Sequence, residues 1–127
     1  QNFIKKIKNK NGNKNDVIFA AWEKGARAVY PYAKKLSEKG VRVSTLLGFS
    51  DCSEIEMEHE FAAVSNRLFV MTKNGSAEAK CCLCGAFCEM NKEVSAAGEI
   101  YLACPEKMLA ELLKTLNDYE EEAEYEI

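Results

Sequence analysis

Proline and histidine are nearly missing from this chain, with two prolines and one histidine in 127 residues. The single histidine, His59, sits among glutamates on a predicted helix, where solvent exposure is expected rather than acid–base catalysis. No run of about eighteen apolar residues occurs, which excludes a membrane-spanning helix. No secretory leader pattern opens the chain. Neither sign of charge dominates: the net charge is −3, so no global attraction to nucleic acid is expected. Glycine is scarce where it would matter most. The turn Ala21-Trp22-Glu23-Lys24-Gly25, between a predicted strand and a predicted helix, holds one glycine at its very end.

What is present is an ordinary globular composition, 47% hydrophobic and 29% charged, enough for one domain with a real core. The ends are charged in opposite senses. Residues 1–16 carry five lysines against one aspartate, and residues 117–127 carry Asp118 and five glutamates. Both are expected as solvated ends, the first as a basic lead-in to an α/β domain over residues 17–127. The first residue is Gln1 rather than Met, which is expected either of a piece of a longer subunit or of a trimmed chain. The six cysteines lack the spacing of a disulfide scaffold and read as reduced thiols of a cytoplasmic protein.

Strand and helix signals alternate. Val17 to Ala21 is a short apolar run suited to a buried parallel strand. Ala26 to Lys39 is helical, with Pro31 placing its true start near Val29 or Tyr30, and Gly40 closes it. Val41 to Phe49 is a second strand. Ser53 and Glu56 form a capping-box pattern for a short helix through Val64. Arg67 to Thr72 is a third strand, followed by the turn Lys73-Asn74-Gly75-Ser76. A third helix is predicted from Ala77 to Glu93, and Glu99 to Cys104 is a fourth strand. Pro105 then starts an amphipathic helix, Glu106 to Leu116. Glu124 to Ile127 reads as a last, acidic edge strand. This alternation predicts a three-layer α/β domain whose ligands sit at the carboxyl ends of the strands.

The ordered motifs Val29-Tyr30-Pro31-Tyr32-Ala33-Lys34, Leu47-Gly48-Phe49, Glu58-His59-Glu60-Phe61, Thr72-Lys73-Asn74-Gly75-Ser76 and Cys104-Pro105-Glu106-Lys107-Met108 carry a resemblance. Over roughly residues 15–116 the chain resembles the NAD(P)-binding domain of the ferredoxin–NADP reductase superfamily. Within it, the dihydroorotate dehydrogenase electron-transfer, sulfide dehydrogenase and hydrogenase-associated subunits look most similar. The resemblance implies a Rossmann-like five-stranded parallel sheet, ordered 3-2-1-4-5. It implies an electron-transfer oxidoreductase domain in which NAD(P)H hands hydride to a flavin, FAD or FMN, on another domain or redox subunit. It places Gly25, Ala26, Thr72, Gly75, Ser76, Pro105 and Glu106 against the nucleotide and Cys104 near the nicotinamide. Ser50 stands where NADP-preferring relatives carry arginine, so NAD is favoured over NADP.

The departures from the pattern cluster. The family's first turn is rich in glycine, which lets backbone N–H groups approach a pyrophosphate; here Ala21, Trp22 and Glu23 stand in those places. Glu23 would oppose the phosphates at a cost of about 1 kcal/mol or more. The glycine between Cys104 and Pro105 is gone, and Lys80 alone is retained from the basic loop after Ser76. The expectation is a nucleotide site that is weakened or altered. Two alternatives stand beside it. One is a non-catalytic domain kept for docking to a redox partner. The other is metal or iron–sulfur binding by Cys81, Cys84 and Cys88, which share a helical face but are more simply a packing stripe.

Overall fold

The computed structural model describes residues 2–72, 90–114 and 120–126. Strand β1 (Asn2–Lys8) leads into β2 (Asn13–Trp22), helix α1 (Gly25–Glu38) and β3 (Arg42–Phe49). A 3-10 turn (Cys52–Glu54), α2 (Glu58–Val64) and β4 (Arg67–Thr72) follow. Next are α3 (Asn91–Ala96), β5 (Ala97–Pro105), α4 (Glu106–Lys114) and β6 (Glu120–Glu126).

The strands form one six-stranded sheet in the order β4-β3-β2-β5-β1-β6. β4, β3, β2 and β5 are parallel neighbours, in the order expected for the first four predicted strands. The expectation of a five-stranded, all-parallel sheet ordered 3-2-1-4-5 is corrected on the other side. β1 pairs antiparallel with β5 and β6 antiparallel with β1, so the sheet is mixed and its order differs. The physical reason lies in Phe3, Ile4 and Ile7, within the stretch expected as a lead-in. Ile4 is 5% exposed and Ile7 1%, and they belong to core layers on opposite faces of the sheet. A strand delivers side chains to both faces in this way. In the β1–β6 register Lys5 stands opposite Glu124 and Lys8 opposite Glu120.

The turn after β1 is fastened to the start of β5. Buried Asn9 donates from Nδ2 to the carbonyls of Ser95 (3.0 Å) and Ala97 (3.1 Å), and its backbone N–H donates to Gly98 O at 2.9 Å.

Two core layers flank the sheet. One packs Val17, Phe19, Val43, Leu47 and Phe49 under α1 and α2, which contribute Val29, Ala33 and Phe61. The other packs Ile18, Leu46, Ile100 and Leu102 against Val94 of α3 and Leu109 and Leu112 of α4. Odd and even positions of each strand thus separate into the two layers. Phe19 and Tyr101 stack across β2 and β5, with ring centroids 4.7 Å apart and planes 13° apart.

Two local expectations are overturned. α1 begins at Gly25 and carries Pro31 inside it, not near its first turn. The apolar stripe Ala26, Val29 and Ala33, fully buried, holds the helix together across the proline. The Ser53–Glu56 capping box does not form. Asp51 caps the 3-10 turn instead, accepting from Ser53 N at 3.2 Å, and α2 starts after Met57 in a left-handed conformation.

Candidate functional site

From β2 the chain runs through α1 to β3 and on to β4, while β5 lies on the other side of β2. The strand order therefore reverses between β2 and β5, and their carboxyl ends open the crevice where such folds take ligands. Trp22, Glu23, Lys24 and Gly25 lie at one lip, and Cys104, Pro105 and Glu106 at the other.

Gly25 is explained by packing. A Cβ there would lie 2.5 Å from the carbonyl oxygen of Ala103 in β5. It therefore acts as the glycine that seats a helix on a strand, one of three distinct glycine roles in dinucleotide turns. Ala26 beside it is fully buried against the same layer as Ala103.

Trp22 borders the crevice with little of its surface. It is 8% exposed and packs in the layer of Leu46, Cys104 and Leu109. Its partner on β3 is Gly48, whose lack of a side chain leaves the indole room. The Leu47-Gly48-Phe49 motif is thereby matched to the tryptophan at the end of the neighbouring strand.

Glu23 holds φ +49°, a region that glycine adopts freely and other residues at a cost. Its N–H donates to Gly48 O at 2.8 Å, and its Oε2 accepts from Ser50 N at 3.4 Å. The first turn of α1 spends its own N–H groups: Ala26 N donates to Glu23 O (3.0 Å) and Arg27 N to Lys24 O (3.2 Å). Two of the donors that would cradle a phosphate are thus occupied from within. Arg27 is drawn away as well. Its Nε and Nη2 grip Glu56 Oε1 and Oε2 at 3.0 and 2.8 Å. What stays open is a cavity of about 150 Å³ lined by Trp22, Glu23, Lys24, Glu54 and Pro105. That is well below the 300–1,000 Å³ usual for a cofactor-sized ligand. The turn as it stands is a poor cradle for a dinucleotide pyrophosphate.

Cys104 is fully buried in the core layer beside Trp22. Its thiol therefore packs in the interior and does not face the crevice. Thr72 ends β4, with β3 between it and β2, so it stands about 10 Å from the crevice by strand spacing. Pro105 lines the cavity, and Glu106 is exposed at the start of α4. His59 is exposed on α2, and Cys52 is an exposed free thiol after β3. Gly75, Ser76, Lys80, Cys81, Cys84 and Cys88 lie outside the described residues. Among the described residues, no three histidine, cysteine, aspartate or glutamate side chains gather as a metal site. No described helix is long and apolar enough to cross a membrane. Glu54 was not singled out by sequence; its place on the 3-10 turn brings it to the cavity, and nothing local signals that.

No protein-family model and no curated protein matches the chain. Solved structures do. The C-terminal domain of a hydrogenase from Pyrococcus furiosus is similar at 17% identity and a TM-score of 0.65, covering 85% of this chain and 88% of that one. A second structure of that domain is similar at 15% identity and a TM-score of 0.64, covering 88% and 90%. An NADH-dependent reduced ferredoxin–NADP oxidoreductase that performs flavin-based electron bifurcation is 31% identical over 59% of this chain and 29% of that one, with a TM-score of 0.42. The hydrogenase-domain likeness shows a shared α/β fold.

Proposed function

We propose that this chain is the pyridine-nucleotide-type domain of an electron-transfer oxidoreductase of the ferredoxin–NADP reductase kind. In this reading it works with a flavin, FAD or FMN, on another domain or redox subunit, and its nucleotide affinity is reduced by its first turn. The observation that carries the reading is the placement of α1, whose first residue, Gly25, packs on Ala103 at the β2–β5 reversal point. The motif order in the sequence and the fold shared with a hydrogenase domain add support. Nicotinamide, when bound, supplies hydride chemistry; NAD remains the better fit because Ser50 offers no positive charge. Gly25 and Ala26 seat the helix, and Pro105 and Glu106 form the opposite lip. No step is assigned to Cys104, because its thiol is buried.

A second reading is favoured by Glu23, whose carboxylate accepts from Ser50 N inside the crevice. In it the fold is retained for docking to a redox partner, without nucleotide turnover. Titration of NADH and NAD against the fluorescence of Trp22, the only tryptophan, separates the two. Saturable quenching supports the first reading; a flat response through millimolar nucleotide rejects it in favour of the second.

A further inference from the structure

The larger cavity lies at the opposite edge of the sheet, where the amino ends of β2, β3 and β4 meet α3. It measures about 240 Å³, room for about eight waters, and is bounded by ten residues from these four elements and the start of β5. Its apolar wall includes Ile18 and Ala97, which belong to the core layer on the α3 face, and the exposed Ala96. Its rim is charged. Arg42, Arg67 and Lys92 face Asp16 and Glu93, leaving one positive charge in excess.

The two arginines are positioned without being saturated. Arg67 Nη1 donates to Glu93 Oε1 at 2.5 Å, and its guanidinium carbon lies 5.4 Å from the centroid of the Phe69 ring. Arg42 Nε stands 3.7 Å from Asp16 Oδ1, a loose contact with a side chain 70% exposed. A guanidinium carries five N–H donors, and these contacts engage few of them. Two forked donors and an ammonium at the mouth of a cavity with an apolar patch match an oxyanion on a short apolar body, because such a ligand satisfies both surfaces at once.

We propose that this amino-edge cavity is a second binding site, separate from the β2–β5 crevice, for a small organic anion: a carboxylate or phosphate monoester on a short apolar or aromatic body. Arg42 and Lys92 receive the oxyanion, Arg67 braces it, and Ile18, Ala96 and Ala97 take the body.

The test is a titration of the full chain with benzoate, phenyl phosphate, inorganic phosphate and neutral benzamide, followed by calorimetry and by the amide resonances of Ser44 and Ala97. Benzoate or phenyl phosphate should bind saturably, and the Arg42→Gln/Lys92→Gln variant should bind at least tenfold more weakly. Both replaced side chains are exposed, so circular dichroism should match the parent. The response to benzoate or phenyl phosphate identifies which oxyanion is preferred. The site is overturned if neither saturates by tens of millimolar, if the variant binds equally well, or if benzamide binds like benzoate. Inorganic phosphate binding as tightly as phenyl phosphate would also overturn it, since the apolar wall would then contribute nothing.

Discussion

Gly25 and Ala103 are in direct backbone contact across the helix–sheet boundary: any side-chain carbon on Gly25 would come within 2.5 Å of the Ala103 carbonyl oxygen. The one glycine of the turn thus stands where α1 meets β5, and Ala21, Trp22 and Glu23 precede it. Gly25→Ala should push the helix off β5 and cost about 1–3 kcal/mol. Urea denaturation reads this directly; a midpoint within error of the parent would show that α1 can shift without loss.

Glu23 stores backbone strain and places a carboxylate in the crevice. Glu23→Gly removes both. Relief of the left-handed conformation is worth about 1 kcal/mol, partly offset by the greater freedom of glycine in the unfolded chain. Removing the charge should strengthen ADP binding about fivefold or more at low salt, since 1.4 kcal/mol corresponds to tenfold. Calorimetry with ADP on both proteins measures it, and unchanged affinity would remove Glu23 as the obstacle.

Pro31 sits in the body of α1, exposed, and offers no N–H to the carbonyl of Arg27. Pro31→Ala restores that donor and should raise stability by about 1–3 kcal/mol. A thermal melt should move up by several degrees. A lower Tm would mean the proline is compensated by a bend the alanine cannot make.

Lys5 and Lys8 of β1 stand opposite Glu124 and Glu120 of β6. Lys5→Glu sets like charges across the strands and should destabilise by about 0.2–1 kcal/mol. The difference should shrink in high salt through screening. A salt-independent difference would assign the loss to packing instead.

Cys52 is exposed and Cys104 fully buried, so the two thiols should separate kinetically. Under native conditions iodoacetamide should label Cys52 within minutes, while Cys104 waits for unfolding. Peptide mass spectrometry resolves them. Equal rates would place the Cys104 thiol in the crevice and reopen a role for it near a nicotinamide.

Much of the parallel half of the fold was legible in the chain. The apolar runs in Val17–Ala21 and Val41–Phe49, with a helical stretch between them, leave little freedom once right-handed crossovers are required. The glycine-poor turn was legible too, because backbone approach needs glycine whatever surrounds it. Three things were not. Pro31 misplaced the start of α1, since a local rule cannot register the buried stripe of Ala26, Val29 and Ala33. β1 was read as a lead-in because its lysines are a local signal, while the acidic strand that answers them lies more than a hundred residues away. Cys104 was expected near a nicotinamide through the family resemblance; its burial in the layer of Trp22 depends on the register of β5 against β2, which no local signal carries.

The sequence alone determined the alternation of strand and helix and the scarcity of glycine in the first turn. These follow from side-chain periodicity and backbone sterics, which act over a few residues. Tertiary structure alone decided that the sheet is mixed and that Gly25 serves packing. It also decided that Glu23 folds back onto Ser50, and that Trp22 and Cys104 share a core layer. Each of these depends on which distant strand becomes a neighbour, and that choice is made by burying both faces of the sheet at once.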